Sequence, residues 1–166
     1  MTEIFPKPLP DLAQDVLDAC RAAGLMLATA ESCTGGLVAA CLTSRAGSSA
    51  AVERGFVTYT NRSKQDLLGV PPHLFAAVGA VSEEVARAMA EGALDRSPAH
   101  ISVSVTGIAG PGGGSATKPV GLVHMASARR GRAVLHERHV FSGDRDAIRR
   151  QAVESALRLL LRQLSD

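Results

Sequence analysis

Apolar positions along this chain switch between helical and strand-like spacing, and the switches mark its elements. In DLAQDVLDACRAAG the residues Leu12, Val16, Leu17 and Cys20 share one helical face, with Asp11 placed to cap the start of the helix and Gly24 to end it. Leu25 to Ala30 form an apolar run too short for a helix and predict a buried strand. From Leu37 to Gly47 the small and apolar residues suit a buried helix. Arg54 to Thr60 alternate and are rich in β-formers, so a strand is expected to end near Tyr59, with Asn61 capping a short helix that stops at Gly69. A proline-opened helical turn follows over Pro71 to Gly79, and Ser82 with Glu83 and Glu84 opens a longer helix running to about Leu94.

His100 to Gly107 alternate strictly, as a strand does, and lead into a glycine-rich loop over Ile108 to Pro119. A strand over Val120 to Ala128, a turn at Arg129 to Arg132, a hairpin partner over Ala133 to Phe141 and an amphipathic helix over Ser142 to Leu164 complete the chain. There is no internal repeat and no low-complexity linker. Early alternation of strand and helix followed by an antiparallel hairpin predicts an α/β fold, a three-layer α/β/α sandwich with a mixed sheet. Ligands in such folds sit at the carboxyl ends of strands. Residues 28 to 36, 58 to 64 and 106 to 114 all follow predicted strands and are expected to converge on one edge.

Composition narrows the classes. The 166 residues fit one domain spanning 1–166, and 46% hydrophobic against 20% charged residues is a globular balance. No apolar run approaches the roughly 20 residues of a membrane span, and the first fourteen residues lack the pattern of a secretory leader; a cytoplasmic protein with no membrane partner is expected. Three cysteines without a CxxC pair predict free thiols rather than disulfides or a zinc site. Net charge is only +2, yet 8 basic and 11 acidic residues precede Lys118 while 10 basic and 5 acidic follow from it onward. That basic C-terminal part suits either an anionic ligand or a solvated arginine face. With aromatics at 3%, and no stacking platform or DNA-binding spacing, no nucleic-acid partner is expected.

Candidate chemistry concentrates in AESCTGG. Ser32 lies between a strand end and a glycine-opened helix, where a hydroxyl serves either as a nucleophile or, like Thr34, as a helix cap. In the first role, amides around Gly35 and Gly36 would meet an oxyanion; in the second, the glycines would only permit close packing. Cys33 is a rival nucleophile, but no histidine is near in sequence, and a small buried residue is the commoner fate of a free cysteine. Tyr59 and Lys64 bridge a strand end and a helix start, so the lysine has two readings: a general base desolvated enough to lose its proton, or a surface lysine beside a tyrosine.

The loop TGIAGPGGGS is neither a P-loop nor a dinucleotide fingerprint. Its glycines, Gly110, Gly112 and Gly113 among them, form either a flexible connection or a wall of backbone amides around a ribose or phosphate. His136 and His139 fall on opposite faces of a strand, so no metal is assigned. Arg145 and Arg149 share one helical face, as an anion clamp or a solvated stripe.

Taken in order, AESCTGG, RGFVTYTNRSK, GAVSEEVA, TGIAGPGGGSATKPVG and FSGDRDAIRRQAV resemble the CinA C-terminal domain family over nearly the whole chain, from about Leu12 to Leu164. The resemblance implies an amidohydrolase that converts nicotinamide mononucleotide to nicotinate mononucleotide and ammonia, with no cofactor. It implies a catalytic serine at Ser32 with Tyr59 and Lys64 as its base, and a substrate or oxyanion contact at Thr106. The expected mechanism is acyl transfer, with Lys64, helped by Tyr59, activating Ser32, the turn at Thr34, Gly35 and Gly36 holding the oxyanion, and the glycine loop and Arg145 taking ribose and phosphate. The upstream pyrophosphatase domain found in some members has no counterpart in the sequence, and a homodimer or higher homo-oligomer is expected. A catalytically silent nucleotide-binding or competence-associated module, and a hydrolase of a different amide, remain open alternatives.

Overall fold

The structure, a computed structural model, describes residues 4–165. Its five-stranded sheet has the order β2-β1-β3-β4-β5. Strand β1 (Leu27–Glu31) runs parallel to β2 (Val52–Val57) on one side and to β3 (Ile101–Gly107) on the other; β4 (Leu122–Arg129) and β5 (Leu135–Val140) continue antiparallel. Helices α1 (Leu9–Ala23), α2 (Leu37–Thr43) and α6 (Arg145–Leu164) pack on one face, and α3 (Asn61–Leu68), α4 (Pro72–Ala77) and α5 (Glu83–Asp95) on the other. The α/β/α sandwich with its mixed sheet and late hairpin is as expected from the sequence.

Alternation along β3 shows how the two faces differ. Ile101, Val103 and Val105 enter the larger core with Leu17, Met125 and Leu157. The alternate residues Ser102 and Ser104 face α5 and donate hydrogen bonds to the carbonyls of Ala90 at 2.7 Å and Ala86 at 2.6 Å. Ala28, Ala30, Ala126 and Ala128 from the sheet and Ala86, Ala90 and Ala93 from α5 keep this second core thin beside larger residues such as Leu68 and Met89, so helix and sheet approach closely. Gly92 allows the same between α5 and α3: a Cβ there would lie 1.9 Å from the Leu68 carbonyl oxygen.

Several element ends differ from expectation. Helix α1 starts at Leu9 after Pro8, with Asp11 inside the first turn; Pro10 is tolerated there because its missing N–H would be unpaired in any case. Helix α3 is capped by Thr60 rather than Asn61, through a reciprocal pair in which the Ser63 N–H donates to Thr60 Oγ1 and the Thr60 N–H to Ser63 Oγ. Strand β2 ends at Val57, two residues before Tyr59, although the Thr58 N–H still reaches the Glu31 carbonyl at 2.8 Å. Helix α2 ends at Thr43, four residues short of Gly47, and a 3-10 turn over Ser48–Ala50 follows. Ser82 caps α5 as expected, Asp144 caps α6, and Gly24 and Gly69 end α1 and α3 in left-handed conformation.

Candidate active site

The carboxyl ends of the three parallel strands lie side by side, because Glu31 is in register with Val57 of β2 and with Val105 of β3. The turns that leave those ends surround a cleft of about 290 Å³. Ser32 and Cys33 enter from β1, Tyr59, Asn61 and Lys64 from the β2–α3 connection, and Thr106 to Gly110 with Gly112 and Gly113 from the end of β3. Ala80, Val81 and Arg145 close the rim. A larger groove of about 460 Å³ runs between Phe5, Leu9 and α6, away from these groups.

Lys64 is 2% exposed, and its Nζ donates to Ser32 Oγ at 3.0 Å and to the Thr58 carbonyl at 2.9 Å. Both partners are neutral. Burial therefore lowers the lysine's pKa below its ordinary value, the neighbouring Cys33 only partly offsetting the lost hydration of an ammonium. A buried amine within hydrogen-bond reach of a serine hydroxyl can exchange a proton with it, which is the arrangement nucleophilic catalysis requires. Cys33 also lines the cleft, but burial pushes its thiol up to about 11, so it stays protonated near neutrality.

Tyr59 lines the same cleft as Lys64, but at its rim. It is 59% exposed at the rim, and its hydroxyl is paired with Arg145 Nη2 at 2.9 Å, while the hydrogen bonds of Lys64 run to Ser32 and Thr58. Arg145 also donates from Nη1 to the Gly110 carbonyl at 2.7 Å, so it links the glycine loop to Tyr59 across the mouth of the cleft. Thr106 lines the cleft with its hydroxyl committed as a donor to the Ala80 carbonyl at 2.8 Å, which fixes the opposite wall. Gly110 has a positive φ and lies against Val120, where a Cβ would come within 2.5 Å of a methyl carbon. Gly112 borders open space.

Thr34, Gly35 and Gly36, expected to hold an oxyanion, lie beside the cleft rather than in its lining. The Thr34 hydroxyl, the Gly35 N–H and the carbonyls of Thr34 and Gly36 hold the turn. The Gly35 N–H donates to the Ser32 carbonyl at 2.9 Å. The buried Glu31 carboxylate accepts from Thr34 Oγ1 at 2.7 Å, from the Val38 N–H at 2.8 Å and from the Ala39 N–H at 3.1 Å, so it occupies the start of α2. Helix α2 begins at Gly36 with no side-chain cap of its own. That gap was the signal in the sequence: an uncapped helix start preceded by an acid at a strand end.

Arg149 is likewise no half of an anion clamp with Arg145. Its Nε donates to the Cys33 carbonyl at 3.1 Å and its Nη2 to the Thr34 carbonyl at 3.3 Å, tying α6 to the turn that carries Ser32. Nothing local in the sequence marks these contacts, which join residues more than a hundred positions apart. His136 and His139 do lie on opposite faces: His136 is paired with His124, and His139 with Glu137 at 2.7 Å. Among the described residues there is no group of three side chains that could hold a metal ion, and no helix long and apolar enough to cross a membrane.

Comparison with known proteins gives a consistent picture. The CinA C-terminal domain profile matches residues 9–164. Nicotinamide-nucleotide amidohydrolase PncC of Escherichia coli is 51% identical over 93% of this chain and 94% of its own length, and the protein of the same name from Enterobacter agglomerans is 48% identical over 95% and 96%. The crystal structure of the competence/damage inducible protein CihA from Agrobacterium tumefaciens superposes with a TM-score of 0.96 at 51% identity, covering 99% of this chain and all of that one.

Proposed function

We propose that this chain, which belongs to the CinA C-terminal domain family, hydrolyses the carboxamide of nicotinamide mononucleotide to nicotinate mononucleotide and ammonia through a serine-bound acyl intermediate. The activity named for relatives near 50% identity supports the substrate. The observation that carries the chemistry is the 3.0 Å contact between the Ser32 hydroxyl and the buried amine of Lys64.

In the neutral form, Lys64 accepts the proton of Ser32 as Oγ bonds to the carboxamide carbon. The Thr58 carbonyl holds the amine in place during the transfer. The tetrahedral intermediate collapses with cleavage of the carbon–nitrogen bond, and the leaving nitrogen takes the proton from the Lys64 ammonium and departs as ammonia. Water then attacks the ester and gives its proton to Lys64. A second collapse breaks the bond to Oγ, Lys64 returns the proton to Ser32, and nicotinate mononucleotide is released. No cofactor takes part in these steps. Arg145, which borders the cleft, is the cation offered to the phosphate, with the backbone of Gly110 to Gly113 beside the ribose.

Ammonia release from nicotinamide mononucleotide, nicotinamide riboside and free nicotinamide tests this. The parent is expected to turn over the mononucleotide and Ser32→Ala to lose activity, while Arg145→Met raises KM for the mononucleotide about tenfold or more and leaves the riboside, which has no phosphate, unchanged. Unaltered turnover in Ser32→Ala would remove the acyl-enzyme. Binding of the mononucleotide without turnover by the parent would favour the silent module.

A further inference from the structure

We infer that the cleft selects amides borne on a positively charged ring, because that charge, set down beside Lys64, sends the lysine's proton to solvent and leaves the neutral amine that activates Ser32. The inference rests on the amidase reading above and deepens it, by naming the feature of the substrate that the site requires.

The ring of nicotinamide mononucleotide is a cation, since its nitrogen is alkylated by the ribose. A site for a cation ordinarily supplies a carboxylate or an aromatic face. This cleft supplies neither beside the reacting pair. Among the described residues no aspartate or glutamate lines it, and its one aromatic side chain, Tyr59, stands at the rim with its hydroxyl on Arg145. The acid that precedes Ser32, Glu31, is fully buried and gives its carboxylate to Thr34 and to amides at the start of α2. Lys64 is therefore the ionisable group that the ring meets at the nucleophile.

The other groups around Lys64 are already engaged or carry no charge. Strand β1 leads to Ser32 and the Cys33 thiol, and the β2–α3 connection brings the Thr58 carbonyl. Within α3, Arg62 and Asp66 pair with each other on the exposed side. Helix α5 meets α3 through Gly92 and through apolar residues such as Val85 and Met89. From α6, Arg145 is held by Tyr59 and the Gly110 carbonyl, and Arg149 by the carbonyls of Cys33 and Thr34.

Geometry sets the size of the effect. Attack on the carboxamide requires its carbon within about 3.5 Å of Ser32 Oγ, and Oγ is 3.0 Å from Lys64 Nζ. The ring is bonded directly to that carbon, so its nitrogen lies within about 10 Å of Nζ however the substrate is turned. At an effective dielectric of about 20, a unit positive charge at that distance lowers an amine's pKa by about 1. Burial acts in the same direction. By linkage, the charged ring binds the neutral amine about tenfold more tightly than the ammonium.

The test titrates Lys64 in Ser32→Ala, which holds the substrate without consuming it, with nicotinamide mononucleotide or its 1,4-dihydro form bound. The two ligands share amide, ribose and phosphate, and only the first has a charged ring. The chain has three lysines, Lys7, Lys64 and Lys118, so carbon-13 at Cε follows each by NMR. Lys64 is expected to titrate about one pH unit or more lower with the charged ring than with the dihydro form. In the parent, which needs no substitution, the acid limb of kcat for the mononucleotide is expected about one pH unit or more below that of kcat/KM. Equal Lys64 values with the two ligands, or coincident limbs in the parent, would overturn the inference and leave the amidase reading standing. A parent that releases no ammonia from the mononucleotide would overturn the amidase reading, and this inference with it.

Discussion

Replacing Lys64 by methionine should separate catalysis from stability, because one change removes both the base and a buried polar group whose hydration is lost on folding. An ordinary lysine with a pKa near 10.4 is neutral in only about four molecules in ten thousand at pH 7. Each unit by which burial lowers that value raises the neutral fraction about tenfold and corresponds to about 1.4 kcal/mol of folding free energy. The sign follows from the direction of the shift. Since the folded pKa is lowered, the native state is penalised in full below that pKa, where both states carry the proton, and the penalty fades as pH rises to the unfolded value, where both are neutral.

Methionine fills similar space without a charge, so the substitution removes the penalty. Against this, the Thr58 carbonyl and the Ser32 hydroxyl lose their partner, at about 1–3 kcal/mol for each buried group left unpaired. The opposing contributions are expected to leave the urea-derived unfolding free energy at pH 7 within about 2 kcal/mol of the parent. Activity has no such compensation, and ammonia release should fall by about 10³-fold, within the range attributed to a positioned base. In the parent, kcat/KM should rise with pH through an apparent pKa below the ordinary lysine value, and Lys64→Met should lack that limb. Residual activity within tenfold of the parent, or a parent limb at the ordinary lysine value, would refute the assignment of Lys64 as base.

Two further substitutions test the scaffold. Glu31→Ala strips an acceptor from three donors and is expected to cost at least about 3 kcal/mol in urea unfolding, whereas Glu31→Gln keeps one carbonyl oxygen and should cost roughly half as much; equal costs would mean that the carboxylate is not the cap of α2. Gly92→Ala would gain about 1 kcal/mol on helix propensity alone, but the clash with the Leu68 carbonyl is expected to reverse the sign and lower stability by about 2 kcal/mol, read as a fall in Tm.

The layers and most helix ends were legible because local chemistry writes them. Ser82 caps the helix it precedes, and Gly24 and Gly69 end theirs in a conformation that glycine adopts without strain. Where two neighbours compete for one cap, as Thr60 and Asn61 do, composition alone does not choose; the reciprocal bonds with Ser63 do. Ser32 and Lys64 could be suggested from sequence, but their contact joins two strand ends through the sheet, and nothing local fixes the distance. The basic C-terminal part was the most misleading signal. Arg129 donates to the Gln163 carbonyl, Arg130 to those of Leu94 and Ala99, and Arg149 to those of Cys33 and Thr34. Much of the charge asymmetry is spent on backbone carbonyls, a use that neither an anion groove nor a solvated stripe describes.

The hydroxyl and the amine that meet in the cleft are anchored unequally. Ser32 hangs from β1, which is laced to a neighbour on each side, whereas Lys64 is reached through β2, the outermost strand, held along one side only. Peeling that outer ribbon would part the reacting pair while the interior remains folded, so moderate warming should silence turnover before circular dichroism registers any melting. The working temperature of such a protein is set by its rim rather than by its core.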